Sequence, residues 1–293
     1  MISRIPFILV LFVLPVCASD LDELAKLVKD DLRNYTEFAA RITNLDTVEK
    51  HFETMGKKNF VRWKEAAELG IAEGQVLLGL CYGQGVNVDQ NGVECEEWLR
   101  KAAEQGNMDG QYMYGLRYSR AVGFFEFETE GLKWLRDAAE QGHPGAMCRL
   151  GTMYFIGDGV EENSEEAIKW HRKAAEHGFA EAQYELGEYY FEGVGVPKDV
   201  REAIKWWTKS AEQGYLYSLR SLILIYSDGI SVPKNKIEAA KWREKAAEQE
   251  EAIERDRMRR FFQRHDMTKP VKIEMERTRV HLFNDLSALK IND

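Results

Sequence analysis

Cysteine is scarce. Cys17, Cys81, Cys95 and Cys148 are the only four in 293 residues, they form no C-x-x-C pair, and with the six histidines they make no cluster at metal-ligand spacing. A zinc site therefore has no support in the sequence. Signatures of catalysis are missing as well: there is no H-E-x-x-H, no G-x-x-x-x-G-K and no G-x-S-x-G, the spacings that place zinc ligands, cradle phosphate or present a nucleophile. Positive charge is outweighed, with 40 Lys and Arg against 49 Asp and Glu for a net charge of −9, so the chain is not expected to bind nucleic acid. No stretch between residues 72 and 251 carries a strand pattern. No cofactor and no metal are expected.

Long apolar runs are nearly absent too. The exception is "MISRIPFILVLFVLPVCAS", residues 1–19, with Arg4 ahead of an apolar run from Ile5 to Val16 and small residues at Ala18 and Ser19. That layout is a secretory signal peptide, and about a dozen apolar residues are too few to span a ~30 Å hydrocarbon core. Export to the periplasm, the extracellular space or a secretory pathway is expected, with no membrane span left after cleavage. "LPVC" at 14–17 loosely matches a lipoprotein box with Cys17 as the lipid-bearing residue, although Val16 is bulkier than that motif favours.

What is present is repetition. "EAAELG" at 65–70 returns as "KAAEQG" at 101–106, "DAAEQG" at 137–142, "KAAEHG" at 173–178 and "KSAEQG" at 209–214, and Glu250 breaks the series. Gly70, Gly106, Gly142, Gly178 and Gly214 are each 36 residues apart. Trp98, Trp134, Trp170, Trp206 and Trp242 keep the same interval, as do Tyr82, Tyr118, Tyr154, Tyr190 and Tyr226, and Gly79, Gly115, Gly151 and Gly187. About five units of 36 residues fill positions 72–251, which marks a repeat architecture.

Each unit reads as two helices. Apolar and small residues recur at helical spacing before each "AAEQG". Asn91, Asn163, Asp199 and Asn235 share a column, each with a glutamate three residues later, as a helix start requires. The column glycine suits the left-handed residue past a helix end. The glycines of the other helix sit mid-helix, where glycine costs about 1 kcal/mol against alanine. Close approach of a neighbouring helix is the expected compensation, with the Ala-Ala pairs opposite. "FEGVGVPKD" at 191–199 is a turn between the two helices.

The pattern Ala-x-x-x-Leu-Gly-x-x-Tyr, then Gly-x-Gly-Val, then Glu-Ala-x-Lys-Trp-x-x-Lys-Ala-Ala-Glu-Gln-Gly resembles the Sel-one-like repeat, a relative of the tetratricopeptide repeat. The resemblance implies an all-α fold, a right-handed α–α superhelix of stacked helical hairpins. It also implies a non-catalytic scaffold for protein–protein interaction, with a protein or peptide as the partner. Some cysteine-rich bacterial members of the family have been linked to penicillin binding, so a weak β-lactamase-like hydrolase is the alternative. This chain lacks their regular cysteine pairs.

The expected organisation is a signal peptide over 1–19, an N-terminal helical cap with a degenerate first repeat over 20–71, the array over 72–251, and a capping helix with a loosely ordered tail over 252–293. Residues 255–280 hold nine basic and four acidic residues. Two departures from repetition stand out. At "SRAVGFFEF", 119–127, Phe124, Phe125 and Phe127 replace the valine, proline and capping columns; these rings either seal the neighbouring hairpins or bind a partner. Cys81 and Cys95 are equidistant from residue 88 in the hairpin turn, so they could face each other and form a disulfide, or remain buried free thiols.

Overall fold

The computed structural model describes residues 18–41, 45–118 and 125–264. Among the described residues all regular structure is helical, in twelve α-helices. Helices α1 (Ala18–Arg41) and α2 (Leu45–Glu68) come first. The hairpins follow: α3 (Ala72–Gln84) with α4 (Gly92–Glu104), α5 (Met108–Tyr118) with α6 (Phe125–Glu140), α7 (Pro144–Ile156) with α8 (Ser164–Glu176), and α9 (Ala180–Glu192) with α10 (Val200–Glu212). The fifth pairs α11 (Leu216–Asp228) with α12 (Lys236–Arg264). The chain divides into two compact units, Met1–Ala246 and Ala247–Asp293. The first holds the hairpins; the second, so far as it is described, is the remainder of α12.

The helix starts follow from the capping column. Asn91 accepts from the Val93 and Glu94 amides, Asn163 from Glu166, Asp199 from Arg201 and Glu202, and Asn235 from Ile237 and Glu238. The same residues close the turns: their own N–H groups donate to the carbonyls of Tyr82, Tyr154, Tyr190 and Tyr226 at 2.8–2.9 Å. The tyrosine and capping columns are therefore the two ends of one backbone bond. Helix α6 has Phe127 in place of the cap and begins at Phe125, three positions ahead of its counterparts at residues 92, 164, 200 and 236. Without a side chain to accept the first-turn amides, nothing fixes the start at the usual place.

The helix ends follow from the terminal glycine. Gly70, Gly106, Gly142, Gly178 and Gly214 have φ between 82° and 101°. Gly106 donates to the Ala103 carbonyl and Asn107 to Ala102 at 2.9 and 3.1 Å, the two bonds of a Schellman motif. The same pair recurs at Gly70, Gly142, Gly178 and Gly214. Position 250 is Glu, and α12 runs past it to Arg264.

Packing depends on two columns of small residues. A Cβ on Gly151 would lie 2.7 Å from the His171 ring, and on Gly79 or Gly115 it would lie 3.0 Å from Leu99 or Leu135. On Gly187 it would run into Trp207. The partners of the mid-helix glycines are thus these large side chains of the same hairpin, and not the Ala-Ala pairs. The pairs pack elsewhere. Ala66 and Ala67 meet Gly74, and Ala102 and Ala103 meet Gly110, a column that continues as Ala146, Ala182 and Ser218. In the fourth repeat Ser210 stands for the first alanine and its hydroxyl donates to the Ala180 carbonyl at 2.6 Å. The glutamine of "AEQG" is fixed as well: Gln105 donates to Gln75, Gln141 to Gln111 and Gln213 to Gln183 at 2.6–2.8 Å.

At the N-terminal end α1 and α2 cover the first hairpin. Trp63 is fully buried, donates to Asp31 at 2.7 Å and stacks on Phe52 at 5.5 Å, with Val28, Leu32 and Tyr35 completing the cluster that holds Val76 and Leu77. Arg62 pairs with the same Asp31.

The Gly187–Trp207 contact can be tested. Gly187→Ala should cost about 1–3 kcal/mol through overpacking. In a Trp207→Leu background, which recreates the pairing of the first two repeats, the same change should cost clearly less. Thermal unfolding of the four proteins of this cycle measures the coupling.

Candidate partner-binding face

The repeated polar residues are occupied by structure, so a functional surface has to come from positions where one repeat differs from the rest. Helices α3, α5, α7, α9 and α11 open the five repeats. One of their positions holds Leu77, Met113, Arg149, Glu185 and Ser221, and another holds Leu80, Leu116, Thr152, Glu188 and Leu224. Leu77 is fully buried, and Met113, Leu80 and Leu116 are partly buried against the core. The fourth repeat places carboxylates where the first two bury apolar side chains.

On α9, Glu181, Glu185 and Glu188 follow one another at four and three residues, the spacing of a single helix face. Burial pushes the Glu185 carboxyl up to about 7, and the charges of Glu181 and Glu188 push the same way. Burial raises Glu188 too, while the neighbouring Tyr184 hydroxyl opposes the rise. The aromatic neighbours are Tyr184, Tyr215 and Tyr217, whose ring centroids lie 5.5, 5.8 and 5.6 Å apart. Burial and the carboxylates of Glu181 and Glu185 raise the Tyr215 phenol. Tyr217 is 58% exposed and Leu224, two turns along α11, is 55% exposed. Acidic groups, phenols and an apolar patch thus adjoin on α9 and α11.

Other groups settle into structural roles. His143 accepts from the Ala146 amide through Nδ1, so its Nε2 carries the proton and faces Asp109 at 3.5 Å, with Tyr112 stacked on the ring. His171 is buried beneath Gly151, hydrogen-bonded to Tyr189 at 2.8 Å, and burial holds its pKa down at about 4. Cys81, Cys95 and Cys148 are buried free thiols; burial pushes Cys81 up to about 12 and raises the other two. Phe124 lies outside the described residues, and of Phe125 and Phe127 only the backbone of the first turn of α6 is described. Cys17 and the rest of residues 1–17 also lie outside.

Ser287-Ala288-Leu289-Lys290, outside the described residues, is one Ser-x-x-Lys match and Ser231-Val232-Pro233-Lys234 is another. The second lies in the turn between α11 and α12, with Ser231 at φ 60°. The motif brings serine and lysine together through helical spacing, and this segment has none. Among the described residues no group of His, Cys, Asp and Glu could hold a metal ion, and no helix is long and apolar enough to cross a membrane.

Five consecutive segments, residues 72–107, 109–143, 144–179, 180–215 and 221–251, match the Sel1 repeat. The chain belongs to the Sel1 repeat family. Among solved structures it is similar to a Sel1 repeat protein from Oxalobacter formigenes, with 28% identity over 78% of this chain and 97% of that one and a TM-score of 0.62. It is also similar to a protective antigen present in uropathogenic Escherichia coli strains and displaying an SLR fold, with 39% identity and a TM-score of 0.59. That match covers 64% of this chain and 40% of the antigen, so this chain spans well under two thirds of the antigen's length. An immunity protein from Pseudomonas aeruginosa shares the fold at 19% identity and a TM-score of 0.50, over 66% of this chain and 73% of its own. No curated protein matches the chain.

Within this Sel1 array, Glu185 and His171 should respond to pH in opposite senses. The Glu185 pKa rises from 4.5 to about 7 on folding, so its contribution is favourable below 4.5 and is lost as pH climbs through 7. The His171 pKa falls from 6.5 to about 4, so its contribution is present above 6.5 and is lost as pH drops toward 4. Glu185→Gln should therefore stabilise the protein by about 1–3 kcal/mol above pH 7 and leave it unchanged below 4.5. His171→Leu should flatten the loss on the acid side. Melting curves across that range measure both.

Proposed function

We propose that this Sel1 repeat protein is a non-catalytic, exported scaffold that holds a protein or peptide partner on the surface of its repeats. The carrying observation is where the repeated polar groups are used. The capping Asn and Asp side chains, the tyrosine carbonyls and the glutamine pairs are each bonded within or between hairpins, so periodicity builds the frame and the variable positions are left for recognition. Stacked repeats present extended surfaces suited to that use.

The purified protein, immobilised and exposed to the exported fraction of its native source, should retain a specific protein identifiable by mass spectrometry. It should turn over no nitrocefin above a heat-denatured control. Turnover that survives purification would make the hydrolase reading the correct one. For export, intact mass should show a chain starting at Ser19 or Asp20; a cytoplasmic form that keeps residues 1–18 would overturn it.

Export has a chemical consequence for Cys81 of α3 and Cys95 of α4, both buried in the hydrophobic cluster that runs from α1 to α5. We propose that in an oxidising compartment the two thiols exchange with a disulfide-bearing oxidant, which takes up their two electrons and two protons and leaves as a dithiol, and form a Cys81–Cys95 disulfide. Closing a loop of about 15 residues would add ~3 kcal/mol. Mature protein from the native source, denatured without reductant, should then titrate one thiol, Cys148; three thiols would rule the bridge out.

A further inference from the structure

We infer that the face formed by Glu181, Glu185 and Glu188 of α9 with Tyr184, Tyr215 and Tyr217 docks a basic segment of a partner protein, its Lys or Arg side chains lying between carboxylates and tyrosine rings. The inference rests on the scaffold reading and adds the chemistry of the partner.

Three observations converge on it. The first is the aromatic patch. Three tyrosines in mutual contact, one of them 58% exposed, continue along α11 to the exposed Leu224. The repeat does not call for this: the position of Tyr217 is Glu73, Asp109, Gly145 and Glu181 in the other four units. Clustered exposed aromatics of this kind mark interaction sites.

The second is negative charge gathered beside that patch. The neighbouring charges that act on Glu185 are those of Glu181 and Glu188, both negative. Arg149 lies near Glu181, but it is already paired with Asp158 at 2.9 Å. The third is the cost to the fold, because equivalent positions in the first two repeats hold leucine and methionine buried in the core or packed against it. Carboxylates set there weaken the free protein, and a cation arriving from outside would relieve the repulsion.

The same features select the occupant. An acidic peptide or a nucleic acid would meet like charge. A purely apolar segment would strip water from carboxylates without replacing it, which costs more than the burial of its side chains returns. A basic segment satisfies both parts of the surface. Arginine pairs with carboxylates through its planar fork and stacks on aromatic faces, and lysine supplies a point charge over the rings.

The test uses the purified protein and a fluorescein-labelled dodecapeptide of alternating Arg and Leu, with a Glu-and-Leu peptide as its counterpart, read by fluorescence anisotropy at about 50 mM salt, where screening is modest. The Arg peptide should bind and the Glu peptide should not. Glu185→Gln with Glu188→Gln should weaken binding at least about tenfold, and Tyr217→Ser several-fold. Neither variant should lower the melting temperature. Glu161→Gln with Glu162→Gln, which neutralises an acidic turn elsewhere in the array, should leave binding unchanged. Equal losses from the two double variants would show that the peptide reads only overall acidity and would overturn the inference, as would binding that ignores the α9 changes. Capture from the native source keeps the two readings apart. If the Glu185→Gln, Glu188→Gln protein still retains the wild-type partner, this face is wrong and the scaffold stands; if the wild type retains nothing, the scaffold reading itself fails.

Discussion

Two helices can approach only as closely as their side chains allow, and nearly every feature of this array follows from how that limit is met. Within a hairpin, Gly79, Gly115, Gly151 and Gly187 open a slot that a large side chain of the second helix fills. Between hairpins, the Ala-Ala pairs lie against Gly74 and Gly110. Neither contact tolerates growth on both sides, so the columns are fixed while the residue filling each slot is free to vary. Leu99, Leu135, His171 and Trp207 occupy that place in turn. Where the glycine is replaced by Ile223, the opposing residue is Arg243, which turns outward and pairs with the Ser227 hydroxyl at 2.6 Å.

This division of labour explains what the sequence made legible. Helix number, the period, the capping column and the terminal glycines could all be read, because each depends on local backbone needs that a few residue types satisfy. Glu250 in place of glycine removes that stop, and α12 runs on past it for the same reason. The partner of the mid-helix glycine was harder. Periodicity shows that Ala102 and Leu99 both recur, but which of them meets Gly79 depends on the rotation of one helix against the other, and no local rule sets that.

The candidate face was hidden differently. Carboxylates are abundant and most have a place in the repeat, Glu166, Glu202 and Glu238 among them, which made any single glutamate look ordinary. Glu185 and Glu188 differ in standing where the first two units hold apolar residues, a signal present in the columns Leu77–Met113–Arg149–Glu185–Ser221 and Leu80–Leu116–Thr152–Glu188–Leu224. Reading it needs the knowledge that those columns face inward in the first repeats, and burial supplies that. The tyrosines come together from α9, from α11 and from the residue before α11, and no sequence spacing announces their meeting.

The terminal glycine has one more consequence. Because a left-handed residue is what lets the chain leave one hairpin and begin the next, that single column acts as a continuation mark for the array. A duplicated block of 36 residues inserted between any two of these glycines would keep every contact in register, so the array can lengthen internally by whole units. At position 250 the mark is missing and the helix runs on. The residue at that column therefore decides whether the chain turns into another hairpin or the helix runs on.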